Sequence, residues 1–230
     1  MSRNVFDDPE FFEGYHALRS DPRNYNALLE QPAMRALLPD IQGLEVLDLG
    51  CGAGENCLEF ARGGAKRVLG LDRSQKMLAV AREATDAEGV VEYRLMDLEA
   101  LRTLEDGPFD LVYSALAMHY VEDFEALAGA VFGLLRPGGI FLFSQEHPLT
   151  TATRDGDFTW NRDKDGRAIS FTISNYSQSG RRSTRWFVDG VEKYHRTVGE
   201  IVTAVAAAGF VIRCRRRRLS RLCRASKKNF

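Results

Sequence analysis

The stretch from Glu45 to Ala61, "EVLDLGCGAGENCLEFA", sets Gly50, Gly52 and Gly54 between an apolar run and a helical pattern. Glycine is unfavourable inside strands and helices, so glycines at such a junction mark a sharp turn that lets backbone approach a ligand. The helix that follows adds free N–H groups at its N-terminus. A dinucleotide fingerprint, G-x-G-x-x-G, requires glycine at position 55, where Glu55 stands, and a carboxylate there would face the pyrophosphate. A Walker A loop requires Gly-Lys-Ser/Thr, and Glu55-Asn56 is not that. The spacing therefore fits a nucleoside that lacks phosphates. Histidine, which titrates near neutrality and can act as a general base, occurs at His119 beside Tyr120, at His147 beside Glu146, and at His195. His119 and His147 are the candidates for catalysis, and each also suits local packing. Cys51, Cys57, Cys214 and Cys223 form neither a CxxC pair nor a zinc-spaced cluster, so no metal is expected and free thiols are.

The elements that must position these residues alternate. "EVLDL", "RVLGLD", "VEYRLMD", "FDLVYS" and "IFLFSQ" read as strands. "ENCLEFARGG", "SQKMLAVAREA" with Ser74 as N-cap, and "DFEALAGAVFGLL" read as helices between them. This order predicts an α/β fold with a doubly wound, mostly parallel sheet, whose ligand site lies beyond the carboxyl ends of the strands. Residues 9–38 read as helical, broken at Pro22 and Pro32. After Pro148, "AISFTISNY" and "STRWFVDGVEKY" read as an antiparallel pair around "SQSGRR". Thr197 and Glu200 form a capping box opening a last helix, and "FVIRC" can supply a last strand. A connection as long as residues 149–194 suggests a wall or lid over the site, and Trp160, Phe171, Tyr176 and Trp186 give it an aromatic character suited to a small, partly apolar acceptor.

"VLDLGCGAGENCLEFA" resembles the first motif of class I S-adenosylmethionine-dependent methyltransferases. "VLGLDRSQKML", "YRLMDLEAL", "FDLVYSALAMHYVEDFEAL" and "LLRPGGIFLFS" resemble the later motifs of that family, in order. The resemblance covers residues 40–145 closely, and the N-terminal helices and residues 149–212 more loosely. It implies a Rossmann-like fold with an N-terminal helical cover and a β-hairpin insert after the fifth strand. It also implies S-adenosyl-L-methionine as cofactor and a small-molecule N, O or C nucleophile as acceptor. By this resemblance Gly50, Cys51, Gly52 and Gly54 would form the cofactor loop. Asp72, with Arg73 beside it, would hold the ribose hydroxyls, 22 residues after Gly50. Met77 and Leu98 would sandwich the adenine, Asp97 would accept from its amino group, and Ser114 would lie by the methionine moiety. Tyr15 and Arg19, four apart on one helix face, would meet the cofactor carboxylate.

The whole chain, 230 residues, reads as one domain: a cover (1–39), a cofactor-binding core (40–148), an acceptor-site cap (149–196), a last helix and strand (197–212) and a basic tail (213–230). "MSRNVFDDPEFFEGY" lacks the apolar core of a secretory signal and no run reaches membrane-span length, so a cytoplasmic protein is expected. The net charge of −1 hides an asymmetry. From Arg213 onward nine Lys/Arg occur without acids, leaving 22 basic against 32 acidic residues before it. That acidic body opposes nucleic acid as the partner, although the tail keeps a nucleic-acid-directed methyltransferase or binding module as an alternative. An NAD(P)-linked oxidoreductase on the same fold is the other, opposed by Glu55. The tail reads three ways: a disordered extension, a shifted frame replacing the family's usual ending, or a nucleic-acid arm. Its charge density predicts a missing or weak last strand.

Overall fold

The computed structural model describes residues 4–85, 89–153 and 159–213. Five strands, β1 (Glu45–Leu49), β2 (Arg67–Asp72), β3 (Val91–Leu95), β4 (Phe109–Ser114) and β5 (Leu135–Phe143), form one sheet in the order β3-β2-β1-β4-β5. Every neighbouring pair in it is parallel. Helices α3 (Glu55–Arg62), α4 (Gln75–Thr85) and α5 (Phe124–Leu134) are the crossovers expected from the sequence.

Alternation along the central strands sends side chains to both faces. Leu47, Leu49, Leu69, Leu71, Phe109 and Val112 pack with α5 on one side. Val46, Val68 and Leu111 pack with Phe60 of α3 and Leu78 of α4 on the other. Burial on both faces explains why these strands read as nearly continuous apolar runs. The order reverses around β1, so the carboxyl ends of β1, β2 and β4 open a crevice at the switch point.

Helix ends follow their caps. Asp123 accepts from Ala126 N at 2.9 Å to start α5, and Ser74 Oγ accepts from Met77 N at 3.1 Å to start α4. The capping box of Thr197 and Glu200 opens α7 (Val198–Ala207) as expected. In the N-terminal region α1 (Pro9–Ser20) stops before Pro22. Pro32, however, does not break the chain into two helices. It occupies the second position of α2 (Gln31–Arg35), which continues a π-helical turn at Asn26–Glu30, and a first-turn proline costs no helical hydrogen bond.

Beyond β5 lie α6 (Pro148–Thr151) and two separate hairpins, which corrects the single pair expected there. β6 (Thr159–Arg162) pairs with β7 (Ala168–Thr172), and β8 (Gly180–Trp186) with β9 (Val188–His195). "STRWFVDGVEKY" is thus not one strand but turns back on itself, with Phe187 at φ 61° and Gly190 at φ 80°. Phe210–Arg213 form no strand, so within the described residues the sheet ends at β5. The rest of "FVIRC" and the basic tail lie outside the described residues.

Gly54 caps α3 at φ +81°, and a Cβ there would stand 2.2 Å from Tyr93 Oη and 2.9 Å from the Ala81 Cβ. Overpacking and the left-handed backbone together predict that Gly54→Ala lowers unfolding free energy by about 2–4 kcal/mol. Urea denaturation measures it; an unchanged midpoint contradicts this packing.

Candidate active site

A cavity of about 720 Å³ opens at the switch point, bounded by the glycine loop, the ends of β2 and β4, α1 and the β8–β9 hairpin. The loop's shape is fixed by hydrogen bonds to the end of β2. Gly50 N and Cys51 N donate to Leu71 O at 2.8 and 3.0 Å, and Gly52 N donates to Asp72 Oδ2 at 2.8 Å. Asp72 Oδ1 accepts from Ser74 N at 2.8 Å. Burial pushes the Asp72 carboxyl above its ordinary value, while those two N–H donors pull the other way. Gly50 (φ +72°) and Gly52 (φ +55°) take left-handed backbone, and a Cβ on Gly52 would meet nothing within 4 Å, so the loop leaves an open cradle facing the cavity. This cradle beside a buried carboxylate fits a ribonucleoside. Behind it, Asp48 is buried with its Oδ2 accepting from the Cys57 thiol at 3.4 Å, and burial pushes its carboxyl up to about 7.

The N-terminal segment closes one side. Asn4 Nδ2 donates to Arg73 O at 2.9 Å, and Ser74 Oγ donates to Asp7 Oδ1 at 2.7 Å. Further along, Arg19 pairs with Glu55 at the start of α3, so the carboxylate that disfavours a pyrophosphate anchors the helical cover. Tyr15 lies in the same wall, and burial raises its phenol above the ordinary value.

The opposite end is lined by His119, Tyr120, Glu146, Arg182, Trp186 and Lys193. Lys193 Nζ pairs with Glu146 Oε1 and lies 5.2 Å from the centroid of the Trp186 ring. His119 is buried, with Nδ1 accepting from Glu146 N at 3.4 Å and Nε2 3.7 Å from Glu146 Oε1. Burial lowers its pKa to about 4, against a weaker opposing pull from Glu146, so the ring is neutral at pH 7.

The structure gathers most of the expected site residues. Tyr15, Arg19, Gly50, Cys51, Gly52, Asp72, Arg73, Met77, Asp97, Leu98, His119 and His147 all line the cavity. Gly54 and Ser114 are not in its lining. Gly54 faces Tyr93 and Ala81, and the buried Ser114 hydroxyl donates to Leu49 O at 2.7 Å, joining β4 to β1. His147 is exposed, and its Nδ1 accepts from Leu149 N at the start of α6. His195 faces inward instead, its Nε2 donating to Tyr176 O and its Nδ1 2.8 Å from the Thr151 hydroxyl. Of the four aromatics expected over the acceptor, only Trp186 lines the cavity; Trp160 and Phe171 pack on each other in the β6–β7 hairpin, and Tyr176 packs on His195. Sequence reasoning missed Lys193 and Arg182, because charged residues in a strand read as solvent-facing. It also missed Leu116, which lines the cavity at φ 55°, its N donating to Ser144 O and Oγ at 3.1 Å each.

The lowered pKa of His119 has a sign that can be measured. The imidazole takes its proton at lower pH in the folded protein than its ordinary 6.5. The stability this gives is present above that value and is lost as pH falls toward 4, an effect of about 3 kcal/mol for such a shift. The stability difference between wild type and His119→Asn should therefore shrink by about 3 kcal/mol from pH 7 to pH 4 in urea denaturation. A pH-independent difference contradicts a buried neutral ring.

Known proteins share this arrangement. A methyltransferase-domain family model matches residues 47–143. The crystal structure of an S-adenosylmethionine-dependent methyltransferase from Mesorhizobium loti superposes with a TM-score of 0.72 at 44% identity, covering 80% of this chain and 82% of that one. An uncharacterized protein of Haemophilus influenzae is 34% identical over 91% of this chain and 84% of its own length. A ubiquinone biosynthesis O-methyltransferase of Bordetella avium is 37% identical over 48% of this chain, a match that spans 46% of that relative. No helix among the described residues is long and apolar enough to cross a membrane. The glycine loop, the acidic end of β2 and the crevice they share thus belong to a known lineage, and the chain is a member of the S-adenosylmethionine-dependent methyltransferase family.

Proposed function

We propose that this enzyme transfers a methyl group to a small-molecule nucleophile that enters the cavity at its β8–β9 end. S-adenosylmethionine supplies a methyl already activated on a sulfonium, so the protein's task is alignment and exclusion of water. The observation that carries the reading is the Asp72 carboxylate, which holds the glycine loop through Gly52 N and lines the cavity. Each of its oxygens accepts one backbone N–H and retains lone pairs for vicinal ribose hydroxyls. Met77 and Leu98 supply apolar surface for the adenine. Asp97, whose carboxylate lies 3.7 Å from Arg73 Nε, would accept from the adenine amino group. Tyr15 and Arg19 cover the amino-acid end, and residues 149–196 contribute the acceptor wall through Trp186, Arg182 and Lys193.

Proton handling is modest. A buried histidine with a pKa of about 4 is a poor base at neutral pH, and both nitrogens of His119 face Glu146. His119 therefore orients Glu146, and the acceptor enters with its nucleophilic lone pair available. The O-methyltransferase name of the Bordetella avium relative supports oxygen as that nucleophile.

Calorimetry on Asp72→Asn tests the reading. Loss of charge-assisted bonds to the ribose should weaken S-adenosylmethionine binding by about 2–3 kcal/mol. Unchanged affinity in a folded variant contradicts it.

A further inference from the structure

We propose that the methyl acceptor is a neutral hydroxyl compound, that its O–H donates to Glu146 Oε2, and that Glu146 takes the proton as the methyl arrives. This rests on the reading of the cavity as a methyl-transfer site and gives that site a catalytic residue and an acceptor class. Glu146 lines the acceptor end of the cavity, and its side chain keeps 29% of its surface exposed. Its neighbours hold it from several sides. Lys193 Nζ donates to its Oε1, its backbone N donates to His119 Nδ1 at 3.4 Å, and His119 Nε2 stands 3.7 Å from the same Oε1. Because Nδ1 accepts, the neutral ring carries its proton on Nε2, toward the carboxylate. Lys193 Nζ is itself held 5.2 and 6.0 Å from the ring centroids of Trp186 and Tyr120. Among the described residues Oε2 has no hydrogen-bond partner. The carboxylate is thus oriented through one oxygen and keeps the lone pairs of the other.

A partly buried ion pair adds little to stability, because desolvation offsets its attraction. Here it presents a fixed acceptor oxygen in a wall of aromatic rings. The Lys193–Glu146 pair carries no net charge, so a neutral, partly apolar molecule with a hydroxyl donor complements it. The reaction has the same polarity. The acceptor oxygen bonds to the methyl carbon as the C–S bond breaks, and the electron pair of that bond goes to sulfur. The positive charge of the sulfonium thereby passes to the acceptor oxygen, and its O–H becomes strongly acidic. Glu146 Oε2 stabilises that charge and receives the proton, leaving a neutral methyl ether, a neutral thioether and a protonated Glu146. The Lys193 ammonium beside the neutral carboxyl then favours return of the proton to solvent. His119 and Lys193 are positioning residues that engage Oε1. Two neighbours in the same wall are poor proton acceptors: burial holds the His119 ring at a pKa of about 4 and pushes the Tyr120 phenol well above its ordinary value.

The probe is 4-nitrophenol, whose phenolate absorbs apart from the neutral phenol, added to enzyme saturated with S-adenosylhomocysteine. Bound to wild type it should stay neutral to higher pH than in free solution, its ionisation midpoint about one pH unit or more higher. In Glu146→Gln the midpoint should fall below that of free 4-nitrophenol, because the unpaired Lys193 ammonium favours the phenolate. In Glu146→Gln/Lys193→Met, which removes the pair as a unit, it should lie between the two. A side chain that only shapes the wall changes affinity without producing that order. The ether 4-nitroanisole, which has no proton to give, should bind all three proteins alike. With S-adenosylmethionine in place of the product, release of S-adenosylhomocysteine from phenol should fall about 100-fold in both variants. Affinity for S-adenosylhomocysteine should stay unchanged in them. No binding of 4-nitrophenol, one midpoint common to the three proteins, no turnover of phenol by wild type, or turnover that survives both variants overturns the proposal. Failure of S-adenosylhomocysteine to bind the wild type would overturn the underlying reading, and this proposal with it.

Discussion

The end of β2 is the point from which the site hangs. Leu71 O and the Asp72 carboxylate together take the N–H groups of Gly50, Cys51 and Gly52, so the loop after β1 is shaped by its neighbouring strand. Glycine at 50 and 52 is what permits that closeness, since both residues sit at positive φ. The other Asp72 oxygen takes Ser74 N, and Ser74 in turn caps α4 and holds Asp7. One carboxylate thereby links a strand, a ligand loop, a helix start and the N-terminal cover. Its burial makes the charge costly until further donors reach it, and ribose hydroxyls are donors of the right kind.

The cover and the hairpin form a continuous wall on the other side. Phe11 stands edge-on to Trp186 and Phe187 at centroid distances of 5.3 and 5.7 Å, and Tyr15 to Trp186 at 5.8 Å. Gly14 allows this contact: a Cβ there would lie 2.5 Å from the Phe187 ring. The N-terminal helix α1 and the β8–β9 hairpin are thus packed on each other.

What the sequence made legible follows from where the signals are local. β1, β2 and β4 are legible because both faces are buried and each strand is bounded by glycine, proline or a helix cap; β3 and β5 are only partly buried, and β5 begins at Leu135, ahead of the run "IFLFSQ". Gly50, Gly52 and Asp72 are legible because a glycine turn after one strand and an acid ending the next are local signals, and all three line the cavity. A hairpin insert was legible but its pairing was not, because β8 carries three arginines and joins β9 through Phe187, a residue with no turn signature. Arg182 and Lys193 look like solvent-facing strand residues; only the fold shows that the cavity lies against them. His195 is a histidine that residue type alone could offer as a base, yet both its nitrogens are engaged by Thr151 and Tyr176. The ambiguity at Pro32 was of another kind, since proline ends a helix or opens one depending on its position in the first turn.

A crystal structure of the protein with S-adenosylhomocysteine tests the central claim most directly. The account predicts both ribose hydroxyls within hydrogen-bond distance of the Asp72 carboxylate, the adenine between Met77 and Leu98, and the thioether sulfur directed toward the end lined by His119, Tyr120 and Trp186. A nucleoside whose ribose lies away from Asp72, or whose sulfur points away from the β8–β9 hairpin, would contradict it.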